Sequence, residues 1–134
     1  MMLQFFDMQD ESNPANGTTI KDQARLVRLL EGARKREPFF FELETENGYK
    51  LLVGIGQSIG CVQFSPKNGD PPYLMAVGND GADECSEDYQ HFLSGGTATP
   101  VSRRFCLPFD TLRRIAVYFM ETGERYPTVS WEQI

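Results

Sequence analysis

Nucleophilic catalysis by this chain would have to use His91, its only histidine. A serine or cysteine nucleophile needs a neighbouring base to take its proton. His91 sits in YQHFL, a strand pattern with aromatic flanks, which suits a structural or surface histidine better than a catalytic one. Cys61, Cys85, Cys106 and His91 have the atom types of a Cys3His zinc site. No two cysteines share a short loop, so that spacing argues against a zinc knuckle and no metal is expected. Cys61 and Cys106 stand beside apolar residues, as small core side chains do. GIGQSIG, Gly54 to Gly60, has the glycines of a phosphate loop but lacks the Gly-Lys-Ser/Thr ending, and a strand pattern follows it. Arg103-Arg104 carries enough charge for an anion, yet arginines at a strand end more often serve surface ion pairs. Carboxylates are plentiful, but spacing does not separate a glycosidase-type pair from a charged face. The expectation is a chain without catalytic residues or cofactor that works by its surface.

The charge map indicates which surface. The formal net charge is −6. Residues 1–37 are balanced and residues 93–134 are net +1. Residues 38–92 hold nine carboxylates against Lys50 and Lys67, net −7. The excess therefore lies in the middle of the chain. Such a field repels nucleic acid and anionic membranes and attracts basic partners. The same charge also serves solubility without any partner.

Elements must position these charges. Leu3–Met8 is a short apolar run fit for a first strand, and Asp10–Gly17 is a loop marked by Asn-Pro and Asn-Gly. A helix is predicted from Thr18 or Thr19, with Thr19 and Asp22 as a weak capping box. Ile20, Ala24, Val27 and Leu30 form its stripe, widened by Leu26 and Leu29, and Arg34, Lys35 and Arg36 fall in its last turn. From Pro38 the period becomes two. Phe39, Phe41, Leu43 and Thr45 alternate with Phe40, Glu42, Glu44 and Glu46, and Asn47-Gly48 is a two-residue hairpin signal. Further strands are read at Ser58–Phe64, Tyr73–Val77, Tyr89–Leu93 and Thr128–Glu132, with Pro100–Arg103 extended after the Gly95-Gly96 bend. Gly54, Gly56 and Gly60 signal a bulge or a close backbone approach. Pro108 opens a second helix whose stripe is Leu112, Ile115, Ala116, Phe119 and Met120, and Gly123 stops it. The order indicates an α+β fold, a mainly antiparallel sheet of about five to seven strands packed with two principal helices. At 134 residues and 40% hydrophobic content, one domain spanning 1–134 is expected.

Localisation follows from exclusions. MMLQFFDMQDE lacks a basic leader and turns acidic at once, so no secretory signal is read. Apolar stretches fall far short of the roughly 20 residues that span a bilayer. Three unpatterned cysteines suit a reducing cytosol.

GGTATPV, followed by a helix ending in YFMETGERYPTVSW, resembles the tail of a family of bacterial immunity proteins. These are antidotes encoded beside polymorphic toxins, commonly toxins that deaminate nucleic acid. The family's alanine- and phenylalanine-bearing helix, Thr-Gly-x-Arg-Pro-like residues and tryptophan strand correspond to Ala116, Phe119, Thr122, Gly123, Arg125 and Trp131, with Tyr126 standing between Arg125 and Pro127. PYLMAVGN and LLVGIG fit the same pattern, and the resemblance covers roughly Phe39 to Trp131. It implies inhibition of a cognate toxin, with no enzymatic activity. These residues also have packing roles of their own: Gly123 stops a helix, Trp131 fills a core, and Phe119 packs beneath it.

The charge map and the resemblance converge on a cytoplasmic antitoxin that occludes a basic substrate cleft. The expected contact set is Glu42, Glu44, Glu46, Asp80, Asp83, Glu84, Glu87 and Asp88, with Tyr73 and Tyr89 as aromatic anchors. No nucleic acid or membrane partner is expected. Two rival readings remain: a small-molecule-binding or regulatory domain with a pocket between sheet and helix, and a hydrolase using two carboxylates.

Overall fold

The computed structural model describes residues 1–78 and 88–134. Its elements are β1 (Leu3–Asp7), β2 (Thr19–Ile20), α1 (Gln23–Ala33), β3 (Phe39–Thr45), β4 (Tyr49–Ile55), β5 (Ile59–Pro66) and β6 (Leu74–Val77). Then come β7 (Tyr89–Ser94), β8 (Thr97–Ser102), a 3-10 turn at Arg103–Phe105, β9 (Leu107–Pro108), α2 (Phe109–Thr122) and β10 (Ser130–Gln133). The class is α+β, as expected. The sheet has ten strands among the described residues, more than the five to seven anticipated. The surplus comes from pieces too short to leave a periodic signal, chiefly the two-residue β2 and β9.

The main path runs β10-β6-β5-β4-β3-β1-β2, antiparallel throughout. The β7–β8 hairpin joins it through a single parallel bridge, Phe39 to Leu93. The β3–β4 hairpin forms where Asn47-Gly48 predicts it, and Gly48 takes the left-handed φ of 96° that such a turn needs.

α1 begins later than the sequence pattern indicates. Asp22 is its N-cap, accepting the Arg25 N–H at 2.8 Å, while Thr19 and Ile20 pair with Gln4 and Leu3 as an edge strand. A carboxylate one residue before the first turn outcompetes threonine as a cap, and a β-branched residue fits the strand. Its buried side is Leu26, Leu30 and Ala33, and Ala24 is exposed. Arg34 is the C-cap, so Lys35 and Arg36 lie beyond the helix rather than in its last turn. α2 follows its prediction closely. All five expected stripe residues are buried, and Gly123 ends the helix at φ 73° with its N–H on the Phe119 carbonyl at 2.7 Å.

Both helices cover the same face of the sheet. Phe39, Phe41, Leu43, Leu51, Val53 and Ile55 point into this layer and are fully buried. Gly60 lets α2 approach: a Cβ there would stand 2.3 Å from Leu112 Cδ1 and 2.4 Å from the Gly54 carbonyl oxygen. The close approach read from the glycine spacing is therefore real.

Trp131 departs from its expected place as core filler. It is half-buried at the edge strand β10, its ring 6.3 Å from Phe64 and its Nε1–H donating to the Tyr126 carbonyl at 2.9 Å. Trp131→Ala should therefore cost about 1–3 kcal/mol, less than the roughly 3–5 of a fully buried aromatic. Chemical denaturation checks this. An unchanged midpoint would show that the indole contributes nothing to the fold and would assign it to a binding surface.

Candidate functional site

The face of the sheet turned away from the helices carries a groove. Phe40, Leu52, Cys61 and Met75, from β3, β4, β5 and β6, form its apolar floor. Strand alternation explains the grouping, because each has a core-facing neighbour on either side. The β7–β8 hairpin makes one wall. Leu93 N–H donates to the Pro38 carbonyl at 2.8 Å, Gly95 N–H to the Met8 carbonyl at 2.9 Å, and Gly96 N–H to Gln9 Oε1 at 2.8 Å. Phe92 is fully buried against Phe40, their ring centroids 5.4 Å apart. Gly54 makes room for that pair, since a Cβ there would lie 3.0 Å from Phe40, 3.1 Å from Phe92 and 2.7 Å from Cys61 Sγ. The cavity is about 640 Å³, and Glu42 is the one charged residue in its lining among the described residues.

The expected contact set divides. Glu42 lies in the groove, half-buried and paired with Lys50 at 2.8 Å. Glu44 sits on the same face towards the β3–β4 turn and pairs with Lys67 at 3.8 Å, and Glu46 is exposed at that turn. Tyr73 is at this end too, since Leu74 pairs with Phe64 and Phe64 with Leu51. Its hydroxyl donates to the Gly69 carbonyl, so it is half-buried in its own loop rather than presented as a free anchor. Asp88 and Tyr89 stand at the opposite end, where β7 begins, upstream of the Phe39–Leu93 bridge. Both are exposed, Tyr89 by 53%. Asp80, Asp83, Glu84 and Glu87 lie outside the described residues, as does Cys85.

The residues weighed for chemistry stand apart. His91 is exposed on β7 opposite Pro100. Burial pushes the Cys61 thiol up to about 12, so it is fully protonated at neutral pH. Cys106 is also raised by burial, against the opposing effect of Arg103. Neither thiol has the lowered pKa that makes a nucleophile. Arg104 pairs with Glu132, which supports the ion-pair reading of the arginine pair. Among the described residues, no three His, Cys, Asp or Glu side chains are grouped to hold a metal. The space between sheet and helices is occupied by core side chains, so the pocket of the small-molecule reading does not fall there. No helix among the described residues is long and apolar enough to cross a membrane.

A second concavity, about 800 Å³, lies at the end of α1 and includes Arg34, Lys35 and Arg36. Its guanidiniums are engaged. Arg34 stacks on Phe109 at 3.7 Å and donates to the Gln57 carbonyl at 2.7 Å. Arg36 stacks on Phe39 at 3.8 Å and pairs with the buried Asp7 at 2.8 Å.

An antiparallel sheet, backed by two helices on one face and grooved on the other, defines an α+β protein. The family described as Immunity protein Imm1 matches residues 11–133, and the chain belongs to that family. The match extends the resemblance seen at Phe39–Trp131 back to the first loop. A search of curated proteins returned no match. Membership makes this a toxin-neutralising immunity protein, with a cognate toxin protein as its partner.

Proposed function

We propose that the chain acts in the cytoplasm as one non-enzymatic domain that binds a nucleic-acid deaminase toxin over its basic substrate cleft. The observation that carries this reading is the bare sheet face, where an apolar floor meets Glu42, Glu44 and Glu46. A toxin that holds nucleic acid needs cations to bind phosphates. An acidic, shape-matched surface on the antitoxin steers encounter and excludes substrate. Asp80, Asp83, Glu84 and Glu87 belong to the contact set on charge alone, and Asp88 and Tyr89 extend it to the far end of the groove. Tyr73 contributes through the loop it pins.

The test is stopped-flow binding to the toxin encoded by the adjacent gene, at two salt concentrations. The expected affinity is on the order of nanomolar, about −12 kcal/mol. Association should slow as salt rises, since fields are screened over about 8–10 Å. Two charge-reversal variants, one at Glu44 and Glu46 and one at Asp83, Glu84, Glu87 and Asp88, locate the steering charge. At least one should slow association more than it speeds dissociation. If both associate at the wild-type rate in low salt, the acid is only solubilising and the interface is misplaced. His91→Ala and Cys106→Ser should protect cells as well as wild type. Loss of protection at unchanged stability would point to chemistry instead of occlusion.

A further inference from the structure

We propose that the groove receives a cationic side chain, arginine or lysine, presented next to an apolar residue on a loop of the toxin; this rests on the toxin-binding reading above. The groove is apolar along its floor and has one acidic side chain, Glu42, in its lining among the described residues. Lys50 engages Glu42 Oε2 at 2.8 Å. Oε1 makes no hydrogen bond or ion pair among the described residues, and no side-chain oxygen is both buried and unpartnered. Oε1 is therefore an accessible acceptor in a channel whose floor is apolar and whose remaining polar side chains, Gln63, Ser94, Thr99 and Ser102, are uncharged. A carboxylate accepts at both oxygens, so a second cation can join without displacing Lys50.

The molecule already uses this arrangement once. Arg36 lays its guanidinium on the Phe39 ring at 3.8 Å and closes on the Asp7 carboxylate at 2.8 Å. Phe40 and Glu42 stand two residues apart on one strand face; the Phe40 ring is buried against Phe92, so Glu42 is the group of the two that meets a cation from outside, above an apolar base. The flanking surface suits the aliphatic stem of such a residue and an apolar neighbour. Leu52 is half-buried, and Met8 and Met75 adapt to irregular shapes. The wall sets the manner of entry. β8 pairs only with β7, so its other edge has no strand partner among the described residues. Arg103 N–H donates to the Asp88 carbonyl, which by alternation turns the backbone groups of Ala98, Pro100 and Ser102 to that edge. Pro100 has no N–H, and Cys106 Sγ donates to the Ser102 carbonyl. An added strand would find its ladder broken in the middle, so the occupant enters by side chains from a loop rather than by extending the sheet.

The test uses the whole chain and the adjacent-gene toxin domain with its active site inactivated. Glu42→Gln should weaken binding by at least about tenfold, mainly through faster dissociation. Leu52→Glu should weaken it further, and Arg114→Glu, on the helix side, should leave it within about twofold as expected of a surface change away from the contact. Thermal melts confirm that each variant is folded. Val101→Lys, on the hairpin wall, provides an independent probe should Leu52→Glu fail to fold. A scan of toxin arginines and lysines to methionine should find one whose loss abolishes the Glu42→Gln penalty. Wild-type binding with unaffected groove variants overturns the groove assignment alone. Groove variants that weaken binding with no coupled toxin cation overturn the cationic occupant. A concentration-dependent dimer of the chain that Leu52→Glu abolishes would assign the groove to a second copy. Failure of wild type to bind the toxin refutes the functional reading itself.

Discussion

Asp7→Ala is expected to lower stability by about 3–5 kcal/mol, summed from donors left without partners at roughly 1–3 kcal/mol each. Asp7 ends β1 with its side chain fully buried. Its Oδ1 accepts the N–H groups of Gln9 at 2.8 Å and Asp10 at 2.9 Å. Its Oδ2 accepts Asn13 Nδ2 at 3.0 Å and Arg36 Nη1 at 2.8 Å. One carboxylate thus ties the loop after β1 to the turn between α1 and β3. Alanine takes the acceptor from the half-buried Gln9 N–H and Asn13 amide, while the N–H of the exposed Asp10 can turn to water. Arg36 is 40% exposed and can turn to water, so its lost pair adds little. Burial alone would raise the Asp7 pKa, but the bonds from Asn13, Asp10, Arg36 and Gln9 together hold it below the ordinary 3.8. The folded pKa lies below the unfolded one. The contribution is therefore complete above about pH 4 and is lost as pH falls through the folded pKa. Denaturant melts of wild type and Asp7→Asn between pH 3 and 7 check the sign. The wild type should begin to lose its advantage below about pH 4, the unfolded carboxyl value. An advantage as large at pH 3 as at pH 7 would show that the charge is not what stabilises the loop.

Asp7 was not visible as a structural hub in the sequence. It stands inside the apolar run Leu3–Met8, and nothing in that run marks a single acid as a centre of hydrogen bonds. Its partners come from two separate segments, the loop after β1 and the turn after α1, and no local pattern brings Arg36 to it. The same limit explains β2 and β9, whose pairing depends on long-range register and not on periodicity. The α2 stripe, the Asn47-Gly48 hairpin and the Gly123 stop were legible because each is set by residues within a few positions of one another. The α1 stripe held only in part, with Leu26 and Leu30 buried, Ile20 in β2 and Ala24 exposed.

The site was legible in part for the same reason. Alternation at Phe39–Glu46 separates a core side from an acidic side before any fold is known, and the structure keeps that separation. The Phe40–Phe92 pair that backs the groove joins residues far apart in sequence through one parallel bridge, Phe39 to Leu93. A charge map treats Glu42, Glu44 and Glu46 alike, whereas the sheet gives Glu42 a groove, Glu44 a lysine and Glu46 open solvent. Tyr73 looked like an anchor because aromatic residues often are, and its hydroxyl bond to Gly69 gives it a local task instead.

Gly60→Val is expected to cost about 3 kcal/mol, at the top of the usual range for overpacking a core. Gly60 pairs with Ile55 on one side and Leu107 on the other, so it is held by neighbours in the sheet. The added Cβ would meet Leu112 Cδ1 at 2.3 Å and the Gly54 carbonyl oxygen at 2.4 Å. A leucine tip can rotate, but Leu112 is fully buried in the α2 stripe, and the carbonyl belongs to the adjacent strand. Relief therefore requires α2 to lift from the sheet or β4 and β5 to separate, and either loosens the layer that holds Phe39, Val53 and Phe119. Leu112→Ala combined with Gly60→Val separates these two routes. The double variant should be more stable than the sum of the single losses if the leucine is the main obstacle, and additive if the Gly54 carbonyl is. Equilibrium denaturation of the four proteins gives the coupling directly. A Gly60→Val midpoint equal to wild type would mean that α2 does not pack on β5 at the distance described. The groove lies on the other face of the sheet, so a folded Gly60→Val variant should still bind its toxin at the wild-type association rate.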